Sequence, residues 1–309
     1  MTMADDTLAL FGNDLFGDPI RPPSSGPLAD EFIVPPFSVL NARDGIWQDR
    51  KRAWLRCGIK GEVGRSSPSI HCPNDSWTRG DGGSDDYISV FDPVLTELAY
   101  RWFCPPGGEI LDPFAGGSVR GIVASLLGFR YVGIDLSSRQ IEANNEQAGE
   151  ICPDNAPLWL VGDSLARLAD VPDASRDFVF SCPPYADLER YSDDPRDLST
   201  MNYGDFLDAY NGIVGHAVAK LRPDRFACFV VGDIRSKSGE YRGLVGDTVA
   251  AFRSAGCDLY NDAILINAVG SLPMRVRRQF NASRKLGKAH QNVLVFVKGD
   301  WRKAAGACR

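Results

Sequence analysis

Long apolar runs are missing. No stretch of the 309-residue chain approaches the ~20 residues that a bilayer span needs. The start also lacks the basic opening and apolar core of a secretory signal. There is no Cys-x-x-Cys pair, and the eight cysteines are scattered through a chain too long to need disulfide staples. A reduced, cytoplasmic setting without membrane contact is therefore the expectation. His71 and Cys72 are adjacent but have no second pair at zinc-finger spacing, so no metal site is expected. No internal repeat is visible. Membrane, fibrous and wholly disordered classes are excluded, and the net charge of −6 argues against a basic surface over the whole protein.

The 44% of hydrophobic residues suffices for a full core, and the length fits one large domain or one domain with appendages. Charge is unevenly spread. Residues 1–31 carry six acids against the single base Arg21. Residues 263–299 carry seven bases (Arg275, Arg277, Arg278, Arg284, Lys285, Lys288 and Lys298) and no acid. An acidic protein can thus present a basic patch. Residues 1–35, acidic and rich in Pro, Ser and Gly, read as a flexible tail. Residues 36–87 read as an extension holding a short helix from Gly45 to about Arg56, capped by Asp44, and then a long irregular segment. That helix carries Arg50, Lys51 and Arg52 with Trp47 and Trp54, which suits either core packing or a second nucleic-acid contact. The main domain spans 88–300, and 301–309 form a tail.

From residue 88 the pattern is α/β. A helix over DPVLTELAYRWF precedes the strands EIL, RYVGID, LWLVGD, FVFSCPP and FACFVVGD, with helical segments between them. LYNDAILINAV and NVLVFVKG follow as two strands with no helix between them, which predicts an antiparallel hairpin at the sheet edge. The remaining strands alternate with helices and predict a parallel sheet.

Ligands in such sheets bind beyond the C-terminal strand ends. After the first strand of the domain comes Asp112-Pro113-Phe114-Ala115-Gly116-Gly117-Ser118, where two glycines allow close approach of backbone to ligand. Asp135 ends the second strand, where a carboxylate can accept both hydrogen bonds of a ribose diol. Asp163 ends the third, placed either to meet a polar ring edge or to cap the next helix. The fourth ends in Ser181-Cys182-Pro183-Pro184-Tyr185, either a rigid turn with a packing Tyr or a stiff frame that aims carbonyls and a ring outward. Asp233 and Arg235 follow the fifth strand and suggest a local ion pair or a contact to base or phosphate.

DPFAGGS followed by SCPPY resembles the amino-methylating DNA methyltransferases. Their glycine motif reads Asp-Pro-Phe-x-Gly-x-Gly, and their catalytic motif reads (Asp/Asn/Ser)-Pro-Pro-(Tyr/Phe). The motif-bearing likeness covers roughly residues 88–235, and 35–300 as a whole is similar to a phage-type methylase family of this class. The resemblance implies a Rossmann-like class I methyltransferase fold with seven strands, mostly parallel, the last antiparallel. It implies S-adenosylmethionine as cofactor and DNA as substrate. Asp112, Phe114, Gly116 and Gly117 would line the methionine end, Asp135 would hold the ribose and Asp163 the adenine. Cys182, Pro183, Pro184 and Tyr185 would form the target-base site, and the helix at 92–103 a further cofactor-contacting segment. N4 of cytosine is favoured over N6 of adenine, because the motif lies nearer the Ser-type than the Asp-type.

Two positions depart from that family. Ser118 replaces the last glycine, and Cys182 stands where Asp, Asn or Ser accepts a proton; sulfur is a weak acceptor. Three alternatives stay open: C5 alkylation of a pyrimidine through a Cys182 thiolate, methylation of RNA or of a protein amide, and a non-catalytic nucleic-acid-binding module. The basic insertion 270–290 leaves and returns at the strand-end edge. Its Arg275, Arg277, Arg278, Arg284, Lys285 and Lys288 are candidates for phosphate contact.

Overall fold

The computed structural model describes residues 27–60, 91–186, 191–267 and 272–309. Helix α1 (Pro27–Phe32), strand β1 (Val39–Asn41) and helix α2 (Gly45–Arg56) come first, then α3 (Pro93–Phe103). The α/β series follows as β2 (Glu109–Asp112), α4 (Val119–Leu126), β3 (Arg130–Asp135), α5 (Ser138–Ile151), β4 (Leu158–Val161), α6 (Ser164–Arg167) and β5 (Arg176–Ser181). It continues through α7 (Tyr203–Lys220), β6 (Leu221–Val231), α8 (Leu244–Ser254), β7 (Asp258–Ile266), α9 (Leu272–Ser283), β8 (His290–Lys298) and α10 (Trp301–Ala307).

The strands form one sheet in the order β1-β7-β8-β6-β5-β2-β3-β4. β8 runs antiparallel to both its neighbours, and the other pairs are parallel. This is the Rossmann-like methyltransferase architecture that the sequence resemblance implied, with two corrections. The sheet has eight strands rather than seven, because Val39–Asn41 pairs in parallel with Ile264–Ile266 and takes the edge expected for the β7–β8 hairpin. Three residues give too short a period-2 pattern to be read as a strand. The second correction is α9, which forms within the segment expected to lack a helix.

Side chains alternate across the central strands and divide the core into two layers. Phe178 and Phe180 of β5 face α3, where Tyr100 meets both rings edge-on. Val179 faces the other way, into the layer built by Phe206, Tyr210, Phe229 and Phe252. Asp92 starts α3 by accepting Val94 N–H at 2.9 Å, with Pro93 at the first helical position. Asp44 precedes α2 but does not cap it through its side chain; its carboxylate accepts Asn41 Nδ2 instead.

Helix α2 packs one face into the core and leaves Arg52 and Arg56 exposed on the other. Trp47 and Trp54 are buried, and Arg50 makes a two-pronged contact to the buried Glu97 at 2.5 and 2.6 Å. Trp54 Nε1 and Arg101 also donate to Glu97. Burial works against the Glu97 charge, yet Arg50, Arg101 and Trp54 together hold the carboxyl below its ordinary range. Lys51 bonds Asp92, and Arg52 bonds Asp49. Packing also reaches into the stretch read as a tail: Ile33 joins the core, and Trp102 Nε1 donates to Phe32 O. Residues 61–87 of the extension lie outside the described residues. Among the described residues no helix is long and apolar enough to cross a membrane.

Candidate functional site

At the C-terminal edge of the sheet, β2 and β5 are neighbours, so the two motif-bearing turns emerge side by side. Asp112 joins them. Its Oδ1 accepts Ser181 Oγ at 2.5 Å from the end of β5 and Phe114 N at 3.1 Å from its own turn. Its Oδ2 accepts Arg120 Nε at 2.5 Å and the Tyr131 hydroxyl at 2.8 Å. The carboxylate is 0% exposed and fully engaged. Asp112 was expected to line the methionine end of a cofactor; its side chain instead braces the turn from behind. An extended strand turns Ser181 away from Cys182, and that rotation brings Ser181 to Asp112.

Arg120 completes the brace. Beyond Asp112 it donates to the carbonyls of Phe114 and Ala115, and its guanidinium lies 4.6 Å from the Phe91 ring centroid. Burial opposes its charge, but the Asp112 carboxylate raises its pKa above the ordinary arginine value. The sequence reading missed Arg120, because its spacing within α4 looks like any helical cation. The signal is chemical: an Arg in an otherwise apolar, buried helix needs a buried partner.

The glycine turn itself is open. Gly116 has φ +52°, and among the described residues no atom beyond its chain neighbours lies within 4 Å of the position a Cβ would take. Its N–H donates to Asp135 Oδ2 at 2.9 Å, while Ser137 N donates to Oδ1 at 2.8 Å. Each Asp135 oxygen therefore keeps a lone pair for a further donor. Burial pushes the Asp135 carboxyl up, against these two backbone donors. Asp163 caps α6 through Leu165 N at 3.0 Å, the second of its two expected placements, and only its Oδ1 is so used among the described residues. Ser118 faces away from the hollow. Its hydroxyl donates to Gln147 Oε1, which also receives Lys60 N–H, while Gln147 Nε2 donates to Lys60 O. The serine that replaces the family's last glycine thus ties the N-terminal extension to the glycine turn.

Phe114 stacks on Tyr210 with centroids 6.0 Å apart and packs into the same layer as Tyr185. Tyr185 is partly exposed; its hydroxyl accepts Gln291 Nε2 at 2.5 Å and lies 3.8 Å from Cys182 Sγ. Burial, then the neighbouring Cys182, holds the phenol well above its ordinary value, so the ring stays neutral. Gln291 was not foreseen; it is 106 residues away in sequence and meets Tyr185 only through the pairing of β8 with β6.

The basic insertion leaves the end of β7 and returns at His290, beside the end of β6, on this same edge. Arg277 and Arg284 are exposed, as is Arg278, and α9 carries the exposed Met274. The Arg275 side chain lies outside the described residues. Asp233 and Arg235 do not form the expected ion pair: Asp233 Oδ1 accepts the N–H groups of Ile234, Gly243 and Leu244, while Arg235 donates to Gly239 O. No group of three or more potential metal ligands occurs among the described residues.

Strand order, an antiparallel β8, and a glycine turn beside a diproline turn define an α/β protein with the Rossmann-like methyltransferase fold. No family model matches the chain. Over 74 residues, 24% of its length, it is 31% identical to the Type II methyltransferase M.SfiI of Streptomyces fimbriatus, and it spans 18% of that relative. Among solved structures, TrmN from Thermus thermophilus aligns over 67% of this chain and 49% of its own, at 17% identity and TM-score 0.45. Magnesium protoporphyrin IX methyltransferase from Synechocystis PCC 6803, solved with bound SAM, aligns over 74% of this chain and 93% of its own, at 14% identity and TM-score 0.45.

Proposed function

We propose that this protein is an S-adenosylmethionine-dependent methyltransferase acting on an exocyclic amino group in DNA, with N4 of cytosine favoured over N6 of adenine. The observation that carries the reading is the Ser181–Asp112 hydrogen bond. It fixes the open Gly116 turn and the Pro183–Tyr185 turn at one strand-end edge. The residues fit the cofactor: Gly116 leaves the backbone approachable, Asp135 retains acceptors for a ribose diol, and Asp163 stands at the next strand end. When bound, the cofactor supplies an electrophilic methyl group on a sulfonium.

The chain's own groups do the rest. An exocyclic amine shares its lone pair with the ring and is a poor nucleophile. A carbonyl acceptor at Pro183 can hold one amine N–H and favour the tetrahedral nitrogen of the transition state. The partly exposed Tyr185 ring offers a stacking surface for a base extruded from the duplex. Arg277, Arg278, Arg284, Lys285 and Lys288 lie on the same edge for contact with phosphates.

Incubation with isotopically labelled cofactor and unmodified DNA, followed by nucleoside mass spectrometry, tests this directly. Label on an amino nitrogen is expected; label on C5 or in no nucleoside overturns the reading. Cys182→Ser sharpens the test. Amine methylation should survive the exchange within about threefold, whereas thiolate attack on C6 would be abolished.

Asp135 predicts a pH dependence. Ribose hydroxyls donate to an ionised carboxylate, so protonation removes acceptors and weakens binding. Because its pKa is raised, S-adenosylhomocysteine affinity should begin to fall, on acidification, at a pH above the ordinary aspartate range. Asp135→Asn should bind more weakly throughout and lose that pH dependence, as read by calorimetry from pH 4 to 8.

A further inference from the structure

Beside Tyr185, a short hairpin gathers two cations around one exposed ring. Arg235 and Tyr241 form an isolated antiparallel bridge just after β6. The Arg235 guanidinium lies 3.9 Å from the Tyr241 ring centroid, and Lys288 Nζ lies 5.5 Å from it. Tyr241 is 45% exposed. Arg235 comes from the strand-end side of β6, and Lys288 from the last residues before β8, so β6–β8 pairing brings them together.

The two cations are held near each other without a carboxylate bonded to either among the described residues. Burial disfavours the Lys288 charge, Asp233 favours it from nearby, and Arg235 opposes it. Asp233 acts on Lys288 only through its field and is not bonded to it; its Oδ1 takes three backbone N–H groups around the start of α8. Arg235 spends one donor on Gly239 O at 2.8 Å and keeps the remainder of its planar fork. Lys285 crosses Gly239, whose φ of +109° and lack of a side chain leave room for it, and Glu240 accepts Ser236 Oγ at 3.2 Å with the Lys285 charge nearby. Like charges assembled over an aromatic face, with no anion among the described residues bonded to them, form a receptor for an anion from outside.

Position says which anion. Lys288 Cε and Tyr185 Cε1 lie 3.7 and 3.8 Å from the place a Gly232 Cβ would occupy. The cation pair therefore stands beside the ring proposed to stack on the target base. Building on the nucleic-acid reading above, we infer that Arg235 and Lys288, steadied by Tyr241, clamp a backbone phosphodiester next to the extruded nucleotide. The contact carries no sequence information. It sets the register that delivers the base to the Pro183–Tyr185 turn.

The test is fluorescence anisotropy with a 30-mer DNA duplex and an RNA of the same sequence, titrated at several salt concentrations. Arg235→Gln/Lys288→Gln should weaken binding by about tenfold or more, equally for a scrambled sequence. The slope of log affinity against log salt should fall by about 0.9 on the duplex, the value for one lost phosphate contact. Arg235→Lys should retain the slope. Arg302→Gln/Lys303→Gln, the same charge change on the exposed α10 at the opposite edge, should leave both unchanged. S-adenosylhomocysteine binding should be untouched in every variant, which also reports an intact fold. A larger loss on DNA than on RNA assigns the phosphodiester to DNA, and the reverse assigns it to RNA. Wild-type affinity and slope in the double variant overturn the clamp while leaving the nucleic-acid reading in place. Failure of the unaltered protein to bind either polymer overturns both.

Discussion

Replacing Arg120 with methionine should cost about 3–5 kcal/mol of folding stability, the range for stripping one partner from a buried ion pair. The reason lies in how Asp112 is solvated. No water reaches its carboxylate, and its four hydrogen bonds come from Arg120, Tyr131, Ser181 and the Phe114 N–H. Only one of those donors carries charge. Methionine fills most of the arginine's volume, so the loss is electrostatic rather than a cavity. It also strips donors from the Phe114 and Ala115 carbonyls, which should loosen the glycine turn. Urea titration should show a lower midpoint at constant slope, and S-adenosylhomocysteine should bind at least tenfold more weakly. The second substitution in Arg120→Met/Asp112→Asn removes the uncompensated charge, so the double variant should regain part of the loss. That non-additive recovery is the signature of direct coupling. A single-variant loss below about 1 kcal/mol would mean that the pair is not the brace described.

That brace also shows where sequence reading reaches and where it stops. The helix and strand pattern from Glu109 to Val231 was legible because local periodicity determines it, and the same holds for α3, with Asp92 at its cap and Pro93 at its first turn. The motif residues at strand ends could be placed because topology alone sends strand ends to one edge. What could not be read is pairing over long separations. Ser181 meets Asp112 across 69 residues, and Gln291 meets Tyr185 across 106. Neither has a local signature. Charge gave a mixed return. The helix in the acid-free segment 263–299 was missed although Ser271 precedes it in sequence and Leu272, Val276 and Phe280 recur every fourth residue, because its run of cations was taken for a loop. In α2 composition left two readings open, and packing separates its cations: Arg50 is buried against Glu97, whereas Arg52 is exposed. Composition counts charges; only packing says which of them remain available.

Tyr185→Ala should lower the rate of methyl transfer tenfold to a hundredfold, the loss expected when a base-stacking ring is removed. Tyr185→Phe should fall between the two, because the ring survives but Gln291 loses the hydroxyl that accepts its amide N–H. This ordering separates two roles for one residue. If the ring matters, Ala is far worse than Phe. If the hydroxyl matters, through Gln291 or through Cys182 at 3.8 Å, the two variants are equally impaired. Gln291→Leu provides a third point, since it leaves the ring in place and removes only its tether. Its rate should match that of Tyr185→Phe, because both break the same 2.5 Å hydrogen bond. None of the three should change S-adenosylhomocysteine affinity, since Asp135 and Gly116 belong to β3 and to the turn after β2, not to this one. Single-turnover rates with saturating cofactor, set beside calorimetric binding, distinguish these cases. Equal loss in Phe and Ala would move the work from the aromatic face to the hydrogen bond, and a fall in cofactor affinity would show the two turns to be one site rather than two facing halves.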